Sequence, residues 1–347
     1  MAEHEVIVIG AGMAGLATAR ALAGDGRDAL VLEQFQLGHS RGSSHGSSRI
    51  IRLSHDVPED VRRAQRAYEL WRGLEEECGE TLIELRGGLD LWDDLAGHET
   101  ALSASGVSYE LLDAAQIEGR FPVRAPEGVT GLFQPDGGIV LADQALRALA
   151  GSARSHGATI REGSAARRLE QNERGVVVET DTERLAARAV VVAAGAWARR
   201  LLSPLGIDLP VEETVETIAY FRLLRESPLP IVIETTAAVH EGYALPAPGY
   251  GIKAGIHRSG SQVDPDALST PDPAIVARIS AWIEERLPDV DPEPIHTDTC
   301  LYTSTAEEHF VFERHGRVVV GSACSGRGFK FAPLTGQLLA ELAGEVL

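Results

Sequence analysis

The sequence of 347 residues is poor in cysteine, in positive charge and in long apolar runs. Its three cysteines, Cys78, Cys300 and Cys324, are far apart and form no CxxC pair. This excludes a disulfide framework and a cysteine-based zinc site, and it favours a reducing cytoplasm as the compartment. The longest apolar run, residues 189–198, is too short to span a bilayer. Strand-like residues already begin at Glu5, so we expect no targeting leader.

Positive charge is scarce as well. The chain has 32 Lys and Arg against 51 Asp and Glu, a formal net charge of −19. Such a surface disfavours nucleic acid and anionic membranes, because phosphate binding needs a basic stripe. A site for a small anion must therefore be a local cluster of cations.

What the sequence does contain is a β-turn-α-β unit at its start. Residues 6–9 (VIVI) are a strand buried on both faces, and the loop GAGMAG follows at 10–15. Residues 16–23 are helical, and residues 29–32 (ALVL) form a second strand that ends at Glu33. A glycine loop with this flanking structure is typical of dinucleotide binding.

Each residue of that loop has a physical task. Gly10 makes the tight turn, Gly12 lets the backbone approach the phosphates, and Gly15 lets the helix pack on the strand. A carboxylate at Glu33 accepts bonds from ribose hydroxyls and repels a 2′-phosphate, which disfavours NADP. The predicted cofactor contacts here are Gly10, Gly12, Met13, Ala14, Gly15 and Glu33. The loop alone leaves FAD and NAD open.

The remaining pattern predicts further helices and strands. We expect helices at 61–78, 143–155, 272–287 and from about 334 to the end. We expect strands at 176–180 and 189–193, the latter leading into Ala194-Gly195-Ala196-Trp197. Further strands are predicted within 211–257, at 299–304 and at 309–313, and short strands and turns follow residue 85.

This order predicts an α/β dinucleotide-binding domain of Rossmann type, interleaved with an α+β substrate domain that contains a large, mainly antiparallel sheet. The first domain is assigned residues 1–85, 137–205 and 305–347. The second is assigned residues 86–136 and 206–304.

The segment GSSHGSSRIIR, residues 42–52, gathers cations in a chain that is short of them. If residues 45–52 turn helically, His45, Arg49 and Arg52 share a face. A solvated basic loop is the alternative.

The segment YGIKAGIH, residues 250–257, is predicted as a strand whose two-residue period puts Lys253, Gly255 and His257 on one face. A glycine between two polar side chains leaves a slot for a flat ring or a small ligand. An ordinary exposed strand face is the alternative.

Two further segments carry candidate chemistry. In TCLYT, residues 299–303, Cys300 and Tyr302 face the same way. The run CSGRGFKF, residues 324–331, is a glycine-rich approach to the last helix, whose N-terminus favours nearby negative charge.

Taken together, these segments resemble the monomeric sarcosine oxidase or N-methyl amino acid oxidase family, within the D-amino-acid-oxidase-like flavoproteins. The resemblance covers nearly the whole chain. It is densest at GAGMAG with Glu33, at GSSHGSSRIIR, at GIKAGIH, at CLYTSTAEEHF and at SGRGFKF. It implies FAD as cofactor, an amino acid with a carboxylate and O2 as substrates, and a monomer.

The resemblance also implies roles for single residues. Cys300 matches the position that carries FAD through a thioether, and Lys253 matches the lysine that activates O2. Arg52 and Lys330 match the pair that holds the substrate carboxylate. His257, Tyr302 and Tyr243 match the lining of the substrate side, whereas His45 and Arg49 match the opposite flavin face. The remaining implied cofactor contacts are Ser44, Arg49, Ala194, Gly195, Trp197, Gly326, Gly328 and Lys330.

The sequence departs from the family pattern in two places. Arg327 stands where the family commonly has His, and the chain stops soon after the last helix. We therefore expect the shielding of the cofactor to differ from that in longer relatives.

The implied reaction is oxidation of a secondary-amine amino acid, N-methyl or cyclic. A hydride equivalent passes to flavin N5, and O2 reoxidises the flavin, giving an imine or aldehyde product and H2O2. Two alternatives stay open: an NAD-dependent dehydrogenase that shares only the first motif, and a catalytically idle flavoprotein subunit. A tRNA-modifying role, known among distant relatives, is opposed by the charge of −19.

Overall fold

The computed structural model describes residues 4–237, 239, 242–322 and 324–347. Its helices are α1 (Met13–Gly24), α2 (Pro58–Cys78), α3 (Ala96–Ala104), α4 (Ala114–Arg120), α5 (Ala142–Ser155), α6 (Ala198–Leu202), α7 (Pro273–Arg286) and α8 (Ala332–Gly344). The first ten strands are β1 (His4–Ile9), β2 (Ala29–Leu32), β3 (Arg49–Ile51), β4 (Ile83–Leu85), β5 (Gly88–Trp92), β6 (Glu110–Leu112), β7 (Gly131–Gln134), β8 (Gly138–Val140), β9 (Thr159–Arg161) and β10 (Ala166–Asn172). The others are β11 (Gly175–Thr180), β12 (Arg184–Val192), β13 (Glu212–Leu223), β14 (Ile231–Thr235), β15 (Gly242–Ala247), β16 (Gly251–Ile256), β17 (Ser261–Gln262), β18 (Val290–Ser304), β19 (Val311–His315) and β20 (Val318–Ser322).

An eight-stranded sheet is built around five parallel strands in the order β20-β12-β1-β2-β9. Strand β1 is buried on both faces. Val6 and Val8 pack in one apolar cluster with α1, α5 and α8, whereas Ile7 and Ile9 pack in another on the opposite face. This alternation follows from the two-residue period of a strand. The predicted Rossmann-type element is confirmed.

A second sheet has nine strands in the order β17-β13-β16-β15-β14-β5-β7-β6, with β18 also paired to β13. Its pairs are antiparallel except β14 with β5. Helix α7 packs on it through Ile275, Ile279 and Ile283. As predicted, Asp272 caps this helix, its side chain accepting a hydrogen bond from the Ala274 N–H. The large, mainly antiparallel sheet is confirmed.

Several local predictions were wrong. Helices α3 and α4 occupy a region predicted as strands and turns, although α4 begins with a capping box of Asp113 and Gln116 that the sequence displays. Strand β18 begins at Val290, well before residue 299. Strand β19 starts at Val311 rather than 309. Residues 49–51 do not turn helically, because they pair with β8 as the strand β3 in a three-stranded sheet, β3-β8-β4.

The strands of the first sheet fall within 4–32, 159–192 and 311–322, and those of the second within 88–134 and 212–304. The domain boundaries given above stay a prediction. Within the described residues, no helix is both long and apolar enough to cross a membrane.

Candidate cofactor cleft and active site

A deep cleft opens at the carboxyl ends of the parallel strands. It begins after β1 at Gly10, after β2 at Glu33 and after β12 at Ala193, and Ser322 of β20 also lines it. The loop around Ser44 closes it from the far side. In open α/β sheets this edge is where ligands bind.

The glycine loop is shaped by its packing. Gly10 has a φ of +100°, and a Cβ there would lie 2.6 Å from the Ala193 carbonyl oxygen. A Cβ on Gly15 would lie 1.9 Å from the Gly10 carbonyl oxygen. Gly12 is different, since its Cβ would meet only the Ser44 Oγ, at 3.2 Å, on the cleft side. Gly10 and Gly15 therefore allow the turn, and Gly12 keeps the cleft open.

Two polar groups complete this cradle. The buried Glu33 carboxylate accepts hydrogen bonds from the Ala11 N–H (2.7 Å) and the Phe35 N–H (2.9 Å). The Ser44 hydroxyl accepts from the Met13 N–H at 3.2 Å, which leaves its own proton available to a phosphate oxygen. The backbone of the glycine loop and the Ser44 hydroxyl fit the pyrophosphate of a dinucleotide, and the Glu33 carboxylate fits its ribose.

The cleft brings together most of the predicted cofactor contacts. Those that line it are Gly10, Gly12, Met13, Ala14, Glu33, Ser44, Ala194, Gly195 and Trp197, together with His45. Those that do not line it are Gly15, Arg49, Cys300, Gly326, Gly328 and Lys330.

The sequence analysis did not identify several residues that line the cleft. Asp266 accepts hydrogen bonds from Trp197 Nε1 at 2.7 Å and from Arg200 Nη1 at 2.5 Å. His39 also lines the cleft, with its Nε2 3.5 Å from Glu33 Oε1. No local motif marks these residues, because their partners are brought together only by the fold.

A buried cation, Lys253, and a partly buried one, Arg49, converge at Gly46, next to the part of the cleft that His45 lines. A Cβ on Gly46 would lie 3.3 Å from Arg49 Nη1 and 3.9 Å from Lys253 Nζ. Lys253 is 4 % exposed and donates to the Ser48 carbonyl at 3.3 Å. Burial, with the Arg49 charge beside it, lowers the pKa of Lys253 to about 7. The alternative of an ordinary exposed strand face is therefore wrong for Lys253.

Arg49 stabilises the loop that precedes it through hydrogen bonds to its backbone. Its guanidinium donates to the carbonyls of Ser43 (2.7 Å), His45 (2.5 Å) and Ser48 (2.9 Å). His45 is buried, with Nε2 3.4 Å from Asp298 Oδ2. The alternative of a solvated basic loop is thus wrong as well. Residues 42–52 fold around an internal guanidinium.

An aromatic wall stands on the strands next to Lys253. The predicted slot at Gly255 is filled by the protein itself, since a Cβ there would lie in the Tyr243 ring. Tyr243 is hydrogen-bonded to Tyr302, and burial raises the pKa of both phenols. The ring centroids of His257 and Tyr302 are 5.5 Å apart, and His257 Nε2 lies 3.1 Å from Glu308 Oε1.

Cys300 belongs to the same cluster. Burial raises the pKa of its thiol to about 11, although the charges of Arg49 and Lys253 act in the opposite direction. Cys300 also interacts electrostatically with Tyr243 and Tyr302. The cysteine, the lysine and the two tyrosines thus lie together.

The predicted carboxylate clamp lies to one side. Arg52 is turned away from Arg49 and donates from Nη1 to Asp90 Oδ1 at 2.7 Å, a partner that sequence reasoning missed. Both Arg52 and Lys330 are close enough to His55 to lower the pKa of its imidazole. The Lys330 ammonium donates to the Arg327 carbonyl at 3.2 Å. The two cations therefore share one neighbourhood.

The family that this chain matches agrees with a cleft for a dinucleotide. The family model described as FAD dependent oxidoreductase matches residues 5–342. The chain belongs to this family. FAD is therefore the dinucleotide that the cleft has to hold, and the NAD-dependent alternative is wrong.

Individual relatives sharpen the assignment. The peroxisomal sarcosine oxidase of Homo sapiens is 34% identical, with 98% of this chain and 92% of that protein covered. The monomeric sarcosine oxidase of Bacillus sp. (strain NS-129) is 30% identical, with 99% and 94% covered. The structure of NikD in its open form, an unusual amino acid oxidase essential for nikkomycin biosynthesis, aligns with a TM-score of 0.90 at 32% identity, covering 99% of this chain and 95% of that one. The chain is an FAD-dependent oxidase of the amino acid oxidase type.

Proposed function

We propose that this protein oxidises a secondary-amine amino acid, N-methyl or cyclic, with O2 as the electron acceptor. The observation that carries the proposal is the separation of two cation pairs that lie outside the lining of the cleft. Arg52 and Lys330 lie on one side, and Lys253 and Arg49 converge on Gly46 on the other. One pair suits a carboxylate, and the other suits the reduction of oxygen.

The first pair binds the substrate carboxylate. Within the described residues, the one hydrogen bond of the Arg52 guanidinium goes to Asp90, which leaves most of its donors for a second carboxylate. Arg binds a carboxylate in a bidentate manner, and Lys330 adds a point charge. This arrangement fixes one end of the substrate and leaves the amine to face the tyrosine pair.

The amine end requires no protein base. The pKa values of Tyr243 and Tyr302 are raised by burial, so both phenols stay neutral hydrogen-bond donors or acceptors. An amine bound in its neutral form can be oxidised without prior proton removal by the protein. Bound FAD would supply the redox chemistry, since it would accept a hydride equivalent from the carbon next to nitrogen and pass the electrons to O2, and the products would be an imine and H2O2.

Lys253 stabilises negative charge that develops on oxygen. A fixed, desolvated cation is more effective there than in water, since a low dielectric strengthens the interaction. Arg49 holds the loop that supplies the Ser48 carbonyl to Lys253.

Cys300 is the proposed point of covalent attachment of FAD. Burial raises the pKa of its thiol, and the charges of Arg49 and Lys253 counteract this rise in favour of the thiolate, which is the reactive form. Acid precipitation of the holoenzyme should leave yellow colour in the pellet, and the Cys300→Ser variant should release it to the supernatant. Colour in the wild-type supernatant contradicts the attachment, and Cys324→Ser serves as the matched control because Cys324 is the cysteine that lines the cleft within the described residues.

A substrate screen tests the function. Sarcosine, N-methyl-L-alanine, L-proline and L-pipecolate are each offered together with their methyl esters, and peroxide release is measured. We expect at least one acid to release peroxide and to bleach the flavin without oxygen, and we expect its ester, which lacks the carboxylate, to be far poorer. A holoenzyme that no such amine bleaches would support the alternative of an idle flavoprotein subunit.

A further inference from the structure

A second cavity lies on the other side of the carboxylate clamp. It measures about 300 Å³, which is at the lower end of the range for small-molecule sites. It lies between the start of α2, the segment before β19 and the helix α8. Its apolar walls are Phe310, Phe312, Phe331, Leu334 and Leu338.

One polar group in this wall is His55. Its side chain is 4 % exposed, and its Nε2 has no hydrogen-bond partner within the described residues. Burial lowers the pKa of this imidazole well below its usual range, so the ring is neutral. A buried nitrogen without a partner is costly, and a ligand in the cavity can satisfy it.

The second polar group is Arg327. Its Nη2 donates to the Glu308 carbonyl at 3.0 Å, and its guanidinium lies 6.0 Å from the centre of the Phe310 ring. Its buried Nε donates no hydrogen bond to any residue that the structure describes, and the Glu308 carboxylate is 3.9 Å away. Arg327 therefore presents an uncommitted donor at the wall of the cavity.

The charge of the cavity wall is positive. Asp60 is paired with Arg63 at 3.1 Å, so these two lining residues neutralise each other. The Glu308 carboxylate, 3.9 Å from Arg327, also pairs with Arg258 at 3.3 Å, so one carboxylate faces two guanidiniums and an excess of positive charge remains. In a chain with a net charge of −19, such a local excess selects for an anion.

We infer that this cavity binds an apolar monocarboxylate as a second ligand of the protein. The carboxylate lies between Arg327 and His55, which donates from Nε2 in the matching tautomer. The hydrocarbon part packs against the phenylalanines and leucines, where burial of each CH2 contributes about 0.8 kcal/mol.

This site is distinct from the substrate clamp. Neither Arg52 nor Lys330 lines the cavity. The ring of Phe331 does line it, and the Lys330 ammonium lies 5.4 Å from the centre of that ring. The two sites are therefore neighbours that share one aromatic residue.

Their proximity predicts coupling between the two ligands, and this point rests on the proposed function. His55 is within electrostatic reach of both Arg52 and Lys330. A carboxylate bound beside His55 therefore repels a carboxylate in the clamp, and each ligand weakens the binding of the other by the same factor. The bound monocarboxylate should raise the KM for the substrate more than it lowers kcat.

Calorimetric titration of the FAD-loaded protein with hexanoate tests the site without relying on turnover. We expect one site per chain. Hexanamide, the uncharged isostere, should bind about tenfold or more weakly because it lacks the charge-assisted hydrogen bonds. The variants Arg327→Leu and Leu338→Trp should each weaken hexanoate binding by about tenfold or more, the first by removing the donor and the second by filling the cavity.

The clamp variant Lys330→Met separates the two sites. It should change hexanoate affinity by less than about threefold if the carboxylate lies in the second cavity. Loss of binding in Lys330→Met together with wild-type affinity in both cavity variants would place hexanoate in the clamp and overturn the inference. Equal affinity for hexanamide, or saturation only above about 100 mM (a Kd too weak for a built site), would also overturn it. Melting temperatures of all variants establish folding, and Leu338→Trp carries the test if Arg327→Leu does not fold.

Discussion

Two buried carboxylates on neighbouring strands of the large sheet each pair with an arginine, and the two pairs differ in how many hydrogen bonds the arginine makes. Strands β5 and β14 run parallel, with Asp90 opposite Ile233 and Leu91 opposite Glu234. Because side chains alternate along a strand, Asp90 and Glu234 point to opposite faces. Asp90 meets Arg52, and Glu234 meets Arg286 of α7.

The Glu234 pair is saturated. Its carboxylate accepts from Trp282 Nε1 at 2.7 Å, from Arg286 Nε at 2.7 Å and from Arg286 Nη2 at 3.0 Å, and both charged side chains are at most 7% exposed. Arg52 instead makes one hydrogen bond within the described residues, and its side chain is 12% exposed. On one face of the large sheet, an arginine–carboxylate pair therefore attaches helix α7 to the sheet. On the other face, the pair leaves guanidinium donors for a ligand.

Breaking the saturated pair should have the largest effect. The variant Glu234→Gln removes the buried counter-charge of a buried guanidinium, which costs about 3–5 kcal/mol. We expect this loss in the free energy of unfolding, measured by urea titration. The matched control is Glu285→Gln, which removes the exposed partner of the same arginine and should cost less than about 1 kcal/mol. Equal losses of unfolding free energy in the two variants would mean that the buried partner of Arg286 contributes no more to stability than the exposed one.

Lys253 extends the comparison to a buried cation that forms no ion pair within the described residues. The variant Lys253→Met should slow reoxidation of the reduced enzyme by O2 by about 10²–10³-fold, the usual effect of removing a group that stabilises developing charge.

The wild-type rate of reoxidation should also depend on pH. The pKa of Lys253 is lowered to about 7, so the cation is present below this pH and is lost as the pH rises through it. The rate constant should therefore fall with rising pH, and negative charge on a bound cofactor would move the midpoint upward. A pH-independent rate in the wild type, or a pH-dependent one in Lys253→Met, would contradict this assignment.

Removing the unsaturated arginine should affect substrate binding more than stability. For Arg52→Ala we expect kcat/KM to fall by about 100-fold or more, since two charge-assisted hydrogen bonds to the carboxylate are lost. The unfolding free energy should change less than in Glu234→Gln. A variant that is destabilised and keeps its kcat/KM would make Arg52 a second structural pair.

The smallest effect is expected in the KM of a variant at Asp90. Its negative charge competes with the substrate carboxylate for Arg52, whereas an amide keeps a hydrogen-bond acceptor without the charge. Asp90→Asn should therefore lower KM by about threefold to tenfold. The control Asp25→Asn makes the same change in net charge at an exposed position after α1, and it should leave KM unchanged. An increase in KM in Asp90→Asn would show instead that Asp90 orients the guanidinium.

Local features were predictable from the sequence, and long-range partners were not. The glycine loop and Glu33 depend on residues within one β-turn-α-β unit, and the face shared by Cys300 and Tyr302 follows from strand periodicity. The sequence analysis did not identify three carboxylates as partners of site or core residues, because those partners are 38, 52 and 51 residues away along the chain. These carboxylates are Asp90, Glu234 and Glu308. Such contacts depend on strand order, which no local pattern encodes. The Arg49 and Arg52 side chains diverge for the same reason, since β8 pairs with residues 49–51.

The most direct test of the account measures the two half-reactions separately in Arg52→Ala and Lys253→Met. Anaerobic mixing with the substrate found in the screen reports flavin reduction, and mixing of the reduced enzyme with O2 reports reoxidation. The account predicts that Arg52→Ala impairs the first step alone and Lys253→Met mainly the second. If both variants impair the same step, or if Lys253→Met reoxidises at the wild-type rate, the division of labour between the two cation pairs is wrong.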